Sequence, residues 1–206
     1  MTVGGIEALH SDVLTYETAG FSTQLSNAIC LIPNISFLAK FSFFDLLSEL
    51  NFDKKLKSGR STQLFGQQSY NYGPITHLPT PFNPKANPAV CEIFDFVSTY
   101  FPDFKLNSCL INYYPNNRCY IPDHSDDESG IADDSFIVTL SFGSDKKMFF
   151  KDKISTRPLC SVKLKNGMFL IFSKNSQFRF THGIPAVSSD SNDYSPRISC
   201  TFRNLI

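Results

Sequence analysis

Two spacings of apolar residues divide this chain. Before residue 102 they recur at helical intervals, and after it they alternate. From Ser36 to Asn51, Phe37, Phe41, Phe44, Leu47 and Leu50 form one stripe, which predicts a helix capped by Ser36 after the break at Pro33-Asn34. A second helix is predicted over Ala89–Phe101, with Val90, Ile93, Phe94, Val97, Tyr100 and Phe101 on one face and Pro102 ending it. From Leu106 the period becomes two. Strands are expected over Lys105–Tyr114, Phe136–Phe142, Lys147–Lys151, Ser161–Leu164, Met168–Ser173, Phe178–His182 and Arg197–Phe202. Asn166-Gly167 is a strong hairpin signal between two of them. Strands joined by turns, with no crossover helices, exclude a parallel α/β fold and fit an antiparallel sandwich or jelly roll, with the two helices on one side of a sheet.

The remaining segments read as connections. Asp53 to Gly66, with Lys54, Lys55, Lys57 and Arg60, is a solvated loop, or alternatively a phosphate-contacting edge. Gln67 to Pro74 holds Tyr70 and Tyr72 on one face of an edge strand; beside polar residues they could also form a base-stacking surface. Four prolines make Leu78–Pro88 an irregular connector, and Ser188–Asp193 reads as an exposed polar loop.

Composition narrows the class. A content of 42 % hydrophobic residues, including 21 phenylalanines, excludes a disordered chain and favours a β-rich core. Nineteen basic residues balance nineteen acidic ones, so no global basic field marks a nucleic-acid binder, although a local patch is still allowed. Six scattered cysteines without a Cys-x-x-Cys pair argue against structural zinc and for buried thiols in a reducing compartment. Met1–Asp12 lacks the basic and apolar regions of a signal peptide, and no apolar run approaches the roughly 20 residues of a membrane span. The expectation is an intracellular protein of cytoplasm or nucleus, monomeric, with no membrane partner.

The chemistry centres on Pro122-Asp123-His124-Ser125-Asp126-Asp127-Glu128. On an extended segment, His124 and Asp126 share a side. Alone, such a pair is equally an acidic turn beside a histidine. His182 supplies a third ligand type, and two histidines with one carboxylate leave coordination positions open, as suits non-haem Fe(II). His10 and His77 sit in segments without regular pattern. In the last strand Arg197, Ser199, Thr201 and Arg203 share one face, opposite Ile198, Cys200 and Phe202. Two guanidiniums facing one way near a metal fit a dicarboxylate. Asn112 and Tyr114 share a face of the first strand and can hydrogen-bond a carboxylate.

Together, Asn112-Tyr113-Tyr114, His124-Ser125-Asp126-Asp127-Glu128, Thr139-Leu140-Ser141-Phe142-Gly143, His182 and Arg197–Arg203 (R-x-S-x-T-F-R) resemble the AlkB family of Fe(II)- and 2-oxoglutarate-dependent dioxygenases. The match spans about residues 64–206 and is most similar to the branch that repairs alkylated bases, and to AlkB domains of plant RNA-virus replicases. It implies a mainly β (α+β) double-stranded β-helix with N-terminal helices outside. Residues 1–60 would be an extension of the same domain and 61–206 the dioxygenase unit. It implies iron on His124, Asp126 and His182, and 2-oxoglutarate on Asn112, Tyr114, Arg197, Ser199 and Arg203, with Arg197 on the distal carboxylate. Tyr70, Tyr72 and Asp127 would meet the substrate. The implied reaction is oxidative demethylation of bases such as 1-methyladenine or 3-methylcytosine, in single-stranded or flipped-base DNA or RNA, using O₂ and releasing formaldehyde, succinate and CO₂. Alternatives are a 2-oxoglutarate oxygenase acting on a protein or small molecule, and a non-catalytic nucleic-acid-binding jelly roll. Ser199 stands where the family usually has Asn, and Asn117 where it usually has Gly.

Overall fold

The computed structural model describes residues 29–32, 39–52, 54–187 and 194–206. Two antiparallel sheets face each other. The larger has the order β1 (Ile29–Ile32), β12 (Phe169–Ser173), β9 (Phe136–Gly143), β14 (Arg197–Arg203), β7 (Ser108–Tyr114), β3 (Ser61–Phe65) and β2 (Lys54–Lys55). A short β6 (Pro79–Thr80) runs parallel to β3. The smaller sheet has the order β11 (Pro158–Leu164), β10 (Lys146–Asp152), β13 (Phe180–Ile184) and β8 (Ile121–His124). Strands β7 to β14 divide four and four between the two sheets, with β10 and β11 the one consecutive pair in the same sheet, which is the expected double-stranded β-helix. A separate hairpin, β4 (Tyr70–Tyr72) and β5 (Ile75–His77), turns at Gly73-Pro74.

Two cores follow from the alternation of β14. Ile198, Cys200 and Phe202 join Leu46, Val90, Ile93 and Val97 in a core between the large sheet and the helices. Between the sheets lies a second core containing Tyr114, Ile137, Met148, Phe150, Leu170, Phe172, Phe180 and Ile184. The polar face of β14 points into that same space, so its arginines are buried and not solvated.

Helix α1 (Phe43–Ser48) is shorter than the apolar stripe predicts. Ser42 caps it, with its Oγ accepting from the Asp45 N–H, whereas Ser36 lies outside the described residues. The stripe is also out of phase: Leu46 is fully buried and Phe44 is 63 % exposed. Helix α2 (Pro88–Tyr100) matches the expected span and is followed by a 3₁₀ turn at Pro102–Phe104.

Three further departures matter for the site. The basic loop expected over Asp53–Gly66 contains β2 and β3, and Arg60 is buried. Asn166-Gly167 does turn the chain, but its flanking strands β11 and β12 enter different sheets. It is a corner of the roll, not a two-stranded hairpin. The strand expected at Phe178–His182 begins at Phe180, after a 3₁₀ turn over Lys174–Phe178. His77 belongs to β5 and is buried, while His10 and the loop at 188–193 lie outside the described residues. Cys91, Cys109, Cys119, Cys160 and Cys200 are buried free thiols.

Candidate metal centre and cosubstrate cleft

The candidate metal ligand set is assembled by strand pairing. β13 and β8 place His182 directly opposite His124, and their register slips between His182 and Ile184. Gly183 occupies that slip. A Cβ there would lie 2.6 Å from Asp123 Oδ1 and 3.0 Å from both the Asp123 nitrogen and the Ile121 oxygen, so the close approach of the strands needs glycine. The two imidazole centroids are 4.3 Å apart. Asp126, just beyond β8, brings Oδ1 to 3.7 Å from His124 Nε2. One ligand atom from each of His124, Asp126 and His182 lies within 4.8 Å of the others.

Several observations fit these residues to a divalent metal. His124 Nδ1 lies 2.8 Å from the Pro122 carbonyl, and donation there leaves the Nε2 lone pair toward Asp126. Burial lowers the His124 pKa, and burial together with the His124 charge lowers His182 to about 3, so both imidazoles stay neutral and able to ligate. Burial alone would raise the Asp126 carboxyl, but Arg203, His124 and His182 outweigh it and hold the group at about 2. Asp126 Oδ1 is buried with no hydrogen-bond partner in the protein. An orphaned carboxylate oxygen between two neutral imidazoles is the donor set of a two-His-one-carboxylate iron site.

A supporting layer fixes Asp126. Arg203 Nη2 donates to Asp126 Oδ2 at 2.9 Å, and the Asp126 N–H donates to Gln177 Oε1 at 3.2 Å. The Arg203 guanidinium lies 4.8 Å over the Tyr70 ring. Tyr70 stacks on His77 on its own hairpin and donates its hydroxyl to Glu128 at 3.0 Å. Glu128, which the sequence leaves without a role, thus ties the β4–β5 hairpin to the ligand loop.

A cleft opens between the sheets over the triad. Its floor carries Asn112, Tyr114, Thr139, Ser199 and Thr201, with Arg197 at one end and Arg203 at the other. Arg197 is 1 % exposed. It donates through Nη2 to Ser141 Oγ at 2.9 Å and lies 5.2 Å over the Tyr114 ring. Its Nε and Nη1 have no partner in the protein, nor has Nε of Arg203. Buried unsatisfied N–H groups each cost about 1–3 kcal/mol. Several on guanidiniums lining one cleft call for an anionic ligand.

The expected residues divide accordingly. His124, Asp126, His182, Asn112, Tyr114, Arg197, Ser199 and Arg203 converge on the cleft, although Arg203 is committed to Asp126 through one nitrogen. Tyr72 lines the mouth, with its ring edge-on to His124 at 5.2 Å. Tyr70 does not fit the expected stacking role: it is 2 % exposed, under Arg203 and against His77. Asp127 turns to Lys153 and is not among the cleft-lining residues. Arg60, expected in a solvated loop or a phosphate-contacting edge, instead donates to Asn112 Oδ1 at 2.6 Å, lies 5.8 Å over the Tyr72 ring and lines the cleft. Gln177 was missed, because a glutamine in a 3₁₀ turn carries no pattern.

A jelly roll holding two neutral imidazoles and one carboxylate beside a buried arginine cleft defines the class of iron- and 2-oxo-acid-dependent oxygenases. The family comparison agrees: residues 50–203 match the 2OG-Fe(II) oxygenase superfamily. The chain belongs to that superfamily, and its similar proteins are of the AlkB type. It is 27 % identical over 152 residues to mouse (Mus musculus) DNA oxidative demethylase ALKBH2, covering 67 % of this chain and 57 % of that protein. It is 26 % identical over 161 residues to the bovine (Bos taurus) alpha-ketoglutarate-dependent dioxygenase alkB homolog 3, covering 74 % and 54 %. The chain thus spans little more than half the length of these curated relatives. The solved structure of OsALKBH1 superposes with a TM-score of 0.55 at 14 % identity, over 86 % of this chain and 98 % of that one, which supports the fold. The cofactors of the family are Fe(II), 2-oxoglutarate and O₂.

Proposed function

We propose that this chain oxidatively demethylates N-alkylated bases, of the 1-methyladenine and 3-methylcytosine type, in DNA or RNA. The observation that carries this reading is the joining, in one cleft, of an orphaned ligand oxygen on Asp126 and unpartnered buried guanidinium donors on Arg197. The names of its relatives, a DNA oxidative demethylase among them, support a base substrate. When bound at His124, Asp126 and His182, iron supplies oxidation of an N-methyl group by O₂ coupled to conversion of 2-oxoglutarate into succinate and CO₂. The hydroxymethyl product then loses formaldehyde and leaves the unmodified base.

The protein's own residues bind and orient. Arg197 takes the distal carboxylate of 2-oxoglutarate through its free Nε and Nη1, with Asn112, Tyr114 and Ser199 along the chain of the cosubstrate. Arg203 keeps the Asp126 carboxylate ionised and aimed. Tyr72 at the mouth offers its ring to a base lifted out of its stack. The test is turnover with Fe(II), 2-oxoglutarate and an oligonucleotide carrying one N-methylated base. Succinate and formaldehyde in equal amounts are expected. Succinate formed equally with and without the methyl group, and no formaldehyde, would overturn the substrate assignment while leaving the cosubstrate chemistry in place.

A further inference from the structure

Beyond the cleft, one surface feature is built but has no internal purpose. The turn joining β10 to β11 projects Ile154 into solvent at 93 % exposure. A large aliphatic side chain so exposed ordinarily sits on a loose loop, yet this turn is fixed. The Asp152 carboxylate accepts the N–H groups of Ile154 and Ser155 at 3.1 and 2.7 Å, and the Ser155 hydroxyl at 2.8 Å. Thr156 takes a left-handed φ of 58°, a costly conformation for a β-branched residue. Beside the turn, β10 continues its register on β13: Asp152 faces Phe180, and the Lys153 N–H donates to the Arg179 carbonyl. Ile154 and Phe178 each adjoin a member of this Lys153–Arg179 pair in sequence, and Phe178 is itself 61 % exposed.

Only part of the charge at this tip is paired internally. Lys151 is paired to Asp123 and Lys153 to Asp127. The Arg157 and Arg179 side chains are exposed and make no side-chain hydrogen bond or salt bridge among the described residues, although the Arg179 charge acts on the nearby Asp152 carboxylate. The tip is also tied to the metal centre. Phe150 pairs with the candidate ligand His182, and Ile154 follows four residues on, in the turn after β10. Lys153 bonds both Asp127, next to the ligand Asp126, and the Gln177 carbonyl.

We propose that Ile154 and Phe178, flanked by Arg157 and Arg179, form a second nucleic-acid contact. There the polynucleotide strand leaving the cleft meets an apolar wedge between bases and two guanidiniums on its phosphates. The inference rests on the base-demethylase reading and deepens it: the substrate is a polymer held at two places, not a free nucleotide. An apolar protrusion bordered by two solvent-exposed arginines has the chemistry of a base-step wedge, which needs both a hydrophobic tip and adjacent phosphate neutralisation.

The test is fluorescence anisotropy of a labelled, unmethylated single-stranded oligonucleotide against the full chain, across a salt series. The variants are Ile154→Ser with Phe178→Ser, and Arg157→Ala with Arg179→Ala. All four positions are exposed, so melting temperatures should match the wild type. The arginine pair should weaken binding about tenfold and flatten the log–log salt slope by about 1.4, the value for two phosphate contacts on a single strand. Substituting the apolar pair should weaken binding about tenfold and leave the salt slope unchanged. If the wild type binds the oligonucleotide and both variants bind equally well, the second contact is refuted while the demethylase reading survives. Failure of the wild type to bind at all would count against both. A wild-type dimer dispersed by Ile154→Ser in sedimentation would show instead that the tip docks a second copy of this chain.

Discussion

Replacing Arg203 by Met isolates what holds the metal-binding carboxylate. The side chains are similar in length and both fill buried space, so the change removes the charge while keeping most of the packing. Asp126 is buried, and only Arg203 among its close partners carries a permanent positive charge. Breaking a buried ion pair by removing one partner costs roughly 3–5 kcal/mol. At about 2–4 °C per kcal/mol for a domain of this size, the apo protein should melt roughly 6–20 °C lower. The pH dependence supplies the sharper sign. In the wild type the Asp126 carboxyl sits at about 2, below its unfolded value of 3.8, so its contribution is present above pH 4 and lost as pH falls toward 2. Without Arg203 burial dominates and the folded carboxyl rises above 3.8. The unfolded state then releases its proton first, and stability falls as pH increases from about 4. Melting curves of the apo variant from pH 3 to 8, with Mn(II) titration at pH 7, read both effects. Unchanged melting, an unchanged pH slope and unchanged Mn(II) affinity would together refute the role given to Arg203.

Three other outcomes follow from the same geometry. Gly183→Ala should push β8 off β13, misalign His124 from His182 and weaken Mn(II) or Co(II) binding at least tenfold, measured by calorimetry, because its Cβ would crowd Asp123 and the Ile121 carbonyl. Apo stability of the wild type should rise with pH between about 3 and 6.5, because the unfolded chain protonates an imidazole that buried His182 leaves neutral; the full contribution is up to about 5 kcal/mol, read by denaturant melts at each pH. Arg197→Lys should chiefly raise the 2-oxoglutarate requirement in a succinate assay, since an ammonium cannot reproduce the Nε and Nη1 pair; an equal requirement would remove Arg197 from the cosubstrate site.

What could be read from the chain, and what could not, has physical causes. The strict alternation of Arg197–Arg203 reports a central strand between two different environments, and the structure puts its two faces in the helix-side core and the cleft. The convergence of His124, Asp126 and His182 was legible because few residue types bind metal and their spacing is unusual. β3 was not, because Ser61, Thr62 and Gln63 look like loop residues. Their burial is made possible by long-range bonds, such as Gln63 to Thr80 and the Asn51 N–H to Gln63. β8 carries Pro122 and Asp123 and shows no alternation. Tyr70 and Tyr72 are identical in sequence pattern. Arg203, 133 residues after Tyr70, covers that tyrosine, whereas Tyr72 stays at the mouth. No local spacing encodes that difference.

The most direct test of the central claim is the mass of an oligonucleotide with a single 1-methyladenine after incubation with the chain, Fe(II), 2-oxoglutarate and O₂. Loss of one CH₂ by the wild type, and none by Asp126→Ala under the same conditions, is the predicted result. An unchanged mass with metal-loaded wild type, or equal loss with Asp126→Ala, would contradict it.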